Sequence, residues 1–131
     1  MGAVNLLLDT HTLLWWLSDD PRLSEAARSR ITDPEATVFV SAASAWEAST
    51  KLRLGKLSDS ANAVPRLSAI IRERGMTELP IGIDHGVLAG SLPGPHRDPF
   101  DRMLIAQARI EGLPVVTSDP VFRAYDVPVI W

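Results

Sequence analysis

The sequence predicts an α/β sandwich built on a parallel sheet. Short apolar runs alternate with helical patterns along the chain, which is the signature of strand–helix–strand units. Several of those runs are apolar without a break, as strands covered on both faces require. The length of 131 residues, with 46% hydrophobic and 22% charged side chains, suits one domain over residues 1–131 with a single core. There is no internal repeat, low-complexity tract or linker.

The expected strands are VNLLLD (4–9), TVFV (37–40), TELPIGI (77–83), PVVTSD (114–119) and VPVIW (127–131). Helical patterns cover 11–18, 23–31, 42–54, 60–74, 84–89 and 99–111. Chemically marked breaks separate them. SDDPR and TDPEA are turn clusters with proline. Gly55 follows the 42–54 pattern as a helix C-terminal glycine. Ser60 is placed to cap the next helix and Gly75 to end it. Residues 90–98, GSLPGPHRD, form the longest expected loop.

Composition excludes several chemistries. With 13 basic and 16 acidic residues the net charge is −3, so no basic excess advertises nucleic acid. A local basic rim around an acidic centre is still compatible with it. No cysteine is present, which removes disulfides, thiol nucleophiles and cysteine zinc sites and fits the cytoplasm. His11, His85 and His96 form no HExxH pair, which argues against zinc. The first twenty residues lack the marks of a signal peptide. Asp9 interrupts their apolar run too early for a membrane span.

Four acids draw attention. In HRDPFDRMLIAQA (96–108), Asp98 fits an N-cap, with Pro99 in the first helical position. Asp101 lies on the same arc as Leu104, Ile105 and Ala108, the stripe that should face the sheet. A carboxylate there needs a cation or an arginine, because burying it bare costs several kcal/mol. Asp9 ends the first strand, where open parallel sheets bind ligands. It equally suits the N-cap of the next helix. Asp119-Pro120 repeats that arrangement after VVTS. Glu47 shares its arc with Ala43, Ser44 and Thr50, and an ordinary ion pair with Lys51 would account for it. Each acid has a bland explanation as a cap or a solvated charge. Three of them, however, follow or face strand ends that this fold gathers together. Clustered carboxylates raise each other's pKa unless a cation compensates, and oxygen ligands select a hard divalent ion.

LLLDTHTLLWWL, SAASAWEASTKLRLGKL, HRDPFDRMLIAQA and PVVTSD occur in that order. Together they make the chain resemble the VapC-type PIN-domain ribonucleases, toxin halves of bacterial toxin–antitoxin pairs. The resemblance spans the first strand to Trp131. It implies a three-layer α/β/α sandwich with a central parallel sheet and Mg²⁺-dependent endoribonuclease activity, with Mn²⁺ as a substitute. It assigns the four catalytic acids to Asp9, Glu47, Asp101 and Asp119, with Asp9 and Asp101 as the chief metal contacts. It further implies an RNA substrate, a VapB-like antitoxin covering the groove, and a homodimer.

Around these acids, Lys51, Arg53, Lys56, Arg97 and Arg102 are candidate phosphate contacts. Thr10 and Ser118 adjoin Asp9 and Asp119 and are candidates to orient them. Of Trp15 and Trp16, adjacent on one helix, one is expected in the core and the other at an interface. Trp46 and Trp131 are expected in the core. Neither His11 nor His96 is assigned a catalytic role. A phospho-receiver domain would need a lysine after a late strand, and PVVTSD and VPVIW offer none. A nuclease of related fold acting on DNA, and a non-catalytic module whose acids only cap helices, are the alternative readings of the same residues.

Overall fold

The computed structural model of the protein describes residues 4–131; residues 1–3, the start of the expected domain, lie outside it. Strands β1 (Val4–Leu8), β2 (Ala36–Ser41), β3 (Thr77–Leu79), β4 (Val115–Val116) and β5 (Val129–Ile130) form one sheet. Their order is β3-β2-β1-β4-β5, and every pairing is parallel. The connections hold helices α1 (Thr10–Leu17), α2 (Glu25–Thr32), α3 (Ala42–Arg53), α4 (Leu67–Glu73), α5 (Ile83–Ser91), α6 (Pro99–Glu111) and α7 (Val121–Ala124).

The three layers follow from the period of two along β1. Leu6 and Leu8 pack on one face with Leu13 of α1, Ala27 and Ile31 of α2, and Leu67 and Ile71 of α4. Leu7 points the other way, onto Ala43 of α3, Leu104, Ile105 and Ala108 of α6, and Phe122 of α7. Leu6, Leu7 and Leu8 are all fully buried, which explains why the run is unbroken. The chain lays β2 and β3 on one side of β1, then β4 and β5 on the other. The order therefore reverses between β1 and β4, and a crevice opens beyond their carboxyl ends.

Several element boundaries differ from expectation. The third strand stops at Leu79, because Pro80 has no N–H for the ladder; residues up to 82 are irregular and α5 starts at Ile83. The 60–74 helix is broken. Residues 60–63 are turns, Val64–Arg66 is a 3-10 turn containing Pro65, and the α-helix begins at Leu67. The last two strands are only two residues each. Gly55 and Gly75 take positive φ just past α3 and α4, as helix-ending glycines do. Among the described residues no helix is long and apolar enough to cross a membrane.

Candidate active site

Asp9 sits at the switch point, immediately after β1. Its Oδ1 accepts from the Thr12 backbone N–H at 2.7 Å, which caps α1. Its Oδ2 accepts from the Thr117 hydroxyl, one residue beyond β4. Thr117 also accepts, at 3.0 Å, the backbone N–H of Asp119. One buried hydroxyl thus joins the first and fourth acids. The Asp119 Oδ1 in turn accepts from the Val121 N–H at 3.0 Å, closing the turn into α7. Asp9 is only 6% exposed. Burial pushes its carboxyl above the usual range, against the pull of Thr117, Thr12 and the nearby His11.

The second pair is organised differently. Glu47 lies on the inner arc of α3 with Ala43, Ser44 and Ala48, and is also 6% exposed. Its Oε2 meets Lys51 Nζ at 3.0 Å, the ion pair that the spacing anticipated. Its Oε1 is buried with no hydrogen-bond partner. Asp101 opens the buried stripe of α6, above Leu104, Ile105 and Ala108. Its Oδ2 lies 2.9 Å from His96 Nε2. Burial raises the Asp101 carboxyl to about 6, and the negative charges of Asp98 and Glu47 add to the rise while His96 opposes it. Asp98 caps α6 through the N–H groups of Phe100 and Asp101, at 2.9 and 3.0 Å.

The pairs are tied together across the groove. Thr10, next to Asp9, donates to Ser44 at 3.0 Å, and Ser44 is one helical turn from Glu47 on the same face of α3. Lys51 Nζ lies 3.5 Å from His11. Among the described residues, no three His, Asp or Glu side chains are gathered tightly enough to form a ready-made cation cage. What is present is a set of carboxylates in which Asp98 and Glu47 add to the rise at Asp101, and in which one buried Glu47 oxygen has no partner. This donor set suits a hard divalent cation, and the orphaned Glu47 oxygen is an atom that such an ion, or a water beside it, would satisfy.

The residues and their fold match a known family. A family model described as "PIN domain" fits residues 6–128. The chain belongs to the PIN-domain family. This PIN domain is 31% identical to Ribonuclease VapC22 of Mycobacterium tuberculosis, over 94% of its own length and 93% of that protein's. The match places it with the VapC-type members. In solved structures it resembles VapBC2 from Rickettsia felis bound to a DNA fragment from their promoter. That match has a TM-score of 0.71 at 14% identity, and covers 96% of this chain and 97% of the other. It also resembles the sarcin-ricin loop cleaving toxin VapC20 of Mycobacterium tuberculosis. There the TM-score is 0.63 at 18% identity, with 91% and 93% covered.

Several side chains of this PIN domain stand elsewhere than the sequence suggested. Thr117, not Ser118, holds the acids after β4; Ser118 is exposed. Thr10 bonds Ser44 rather than Asp9. Arg102 does not face solvent phosphate: its guanidinium donates to the carbonyls of Ala89, His96 and Leu92. Trp46 is 62% exposed, because α3 buries its small arc and the acid instead, and Trp131, beyond β5, is 36% exposed. Trp46 packs edge-on against Phe100, with ring centres 4.8 Å apart. Trp15 and Trp16 are both half-buried against the same core face. Gln107 is fully buried, where it accepts from Ser41 and donates to the Pro80 carbonyl.

Proposed function

We propose that this protein is a divalent-metal-dependent endoribonuclease, the toxin of a VapBC-type pair, formed by a single nuclease domain acting in the cytoplasm. The observation that carries the reading is the buried Glu47 Oε1 without a partner, in the field of an Asp101 carboxyl that already resists ionisation. The name of the curated relative, a ribonuclease, supports RNA over DNA. The VapBC complexes among the structural relatives support a VapB-like antitoxin as partner.

In this reading Asp9 and Asp101 hold Mg²⁺ or Mn²⁺, and Glu47 and Asp119 complete its surroundings. When bound, the ion lowers the pKa of a nearby water and neutralises charge on the scissile phosphate. The chain's own groups do the rest. Thr117 and the Thr12 N–H lock the Asp9 carboxylate in one orientation. Glu47 Oε1 takes the proton of the attacking water as its oxygen bonds to phosphorus and one bridging P–O bond breaks; the leaving oxygen is protonated from solvent. The exposed Arg53, Lys56 and Arg97 supply phosphate contacts around the acids. Ile83 and Val87, one turn apart on α5 and 85% and 67% exposed, offer the expected homodimer an apolar face.

The test is cleavage of total RNA by the purified protein with Mg²⁺, with Mn²⁺ and with chelator, followed by mapping of new ends. New ends that depend on metal and vanish in Asp9→Asn and Asp101→Asn support the reading. Cleavage that survives chelation, or survives both substitutions, contradicts it.

A further inference from the structure

The segment between α5 and α6, residues 92–98, is fixed by its surroundings rather than by its own structure. Arg102 reaches back from the first turn of α6 and spans it. Nε donates to the Ala89 carbonyl at 2.9 Å and Nη1 to the His96 carbonyl at 3.0 Å. Nη2 donates to the Leu92 carbonyl at 2.6 Å, with Gly90 at 3.5 Å. Ala89 and Gly90 belong to the end of α5, whose last carbonyls lack helical partners. The planar fork therefore closes a helix end and grips the loop at the same time. On the loop's other side, Gly94 has φ +94°, and a Cβ there would come within 2.8 Å of the Tyr125 hydroxyl. The backbone is thus held by Arg102 on one side and passes close to Tyr125 on the other, with His96 among the gripped residues. From that position Nε2 meets Asp101 Oδ2 at 2.9 Å.

We propose that His96 is a positioning residue for the metal site: presented by the Arg102 strap, it donates to Asp101 Oδ2 and fixes that carboxylate, leaving Oδ1 for the cation. The inference rests on the metal-dependent reading above. An ionised Asp101 can only accept from the ring, so in that state Nε2 carries the hydrogen. Outer partners of this kind typically contribute 10–100-fold to metal affinity. Arg102 touches neither metal nor substrate in this scheme and acts only through His96. A lysine in its place keeps the charge but loses the fork.

The test is Mn²⁺ titration of the full chain, with free ion followed by electron paramagnetic resonance, and folding of each variant checked by circular dichroism. His96→Ala should weaken Mn²⁺ binding about 10-fold or more. His96→Gln, which can offer an amide N–H at similar reach, should restore it to within a few-fold. Arg102→Lys should weaken binding like His96→Ala and shift the His96 ring resonances. The double variant His96→Ala/Arg102→Lys should be no worse than the poorer single one. His96→Ala binding Mn²⁺ within about twofold of the natural protein, when Asp101→Asn does not bind, overturns this inference alone. Multiplying losses in the double variant overturn the part given to Arg102. If Arg102→Lys fails to fold, the His96→Ala and His96→Gln pair still decides the role of His96. A natural protein that does not bind Mn²⁺, or an Asp101→Asn variant that binds as well, overturns both this inference and the functional reading.

Discussion

The two halves of the acidic groove are built on opposite principles. At the β1–β4 corner both Asp9 oxygens are satisfied, and the same Thr117 hydroxyl serves Asp119. That corner is a finished structural joint whose charge is costly but fully bonded. At the α3–α6 corner Glu47 leaves one buried oxygen bare, and Asp101 holds its proton up to about pH 6. That corner is electrostatically incomplete. The difference teaches that the fold does not need all these acids. Both Asp9 and Asp101 are raised by burial, but only the second pair leaves a buried carboxylate oxygen without a partner, a cost that a bound cation would offset.

The comparison breaks most sharply on cleavage. Asp9→Asn and Asp101→Asn should each lower RNA cleavage by about 100-fold or more, measured on a defined RNA, while circular dichroism stays unchanged. A variant at either corner that keeps its rate would show that its half of the groove is not part of the site.

Stability should separate the corners by sign. Asp101 has a folded pKa of about 6 against an ordinary 3.8, so between those values the folded protein binds the extra proton. Its contribution to stability therefore falls as pH rises from about 4 to about 6 and is level above. Asp101→Asn should make the metal-free protein more stable at pH 7 by up to about 3 kcal/mol. The gain should shrink toward zero near pH 4, as urea melts at several pH values would show. Thr117→Val, by contrast, leaves a buried carboxylate and the Asp119 N–H without their shared partner. It should lose about 1–3 kcal/mol in the same melts. Losses in both variants would erase the distinction between finished and unfinished corners.

The smallest expected effect lies outside both corners. Reversing Arg53 and Lys56 together should weaken RNA binding and make its salt dependence shallower, by roughly 0.7 in log–log slope per lost phosphate contact. An unchanged slope would leave both as ordinary surface charge. Lys51 is not included, because its ammonium is engaged by Glu47.

The contrast also marks what could be read from the chain. The sheet, the Asp9 cap, the Asp98 cap and the inward stripe below Asp101 were legible, because each rests on local periodicity or a turn residue. The burial of Glu47 was not. Its helix carries small residues on more than one arc, so nothing local says which side packs. The same ambiguity misplaced Trp46. Thr117 was missed by one position: its role depends on β1 and β4 being neighbours, with Leu8 opposite Val116. The bonds of His96 and Arg102 were not legible, because they depend on the path of the 92–98 segment, which has no periodicity to read. Proline explains the two misjudged lengths, at Pro80 and Pro65.

The most direct test of the central claim is a crystal of the protein soaked in Mn²⁺, with anomalous differences recorded at the manganese edge. The account predicts a single strong site in the groove, within ligand distance of Asp9 and Asp101, with Glu47 Oε1 facing the ion or its water. A map in which manganese occupies other surfaces and leaves this groove empty would contradict it.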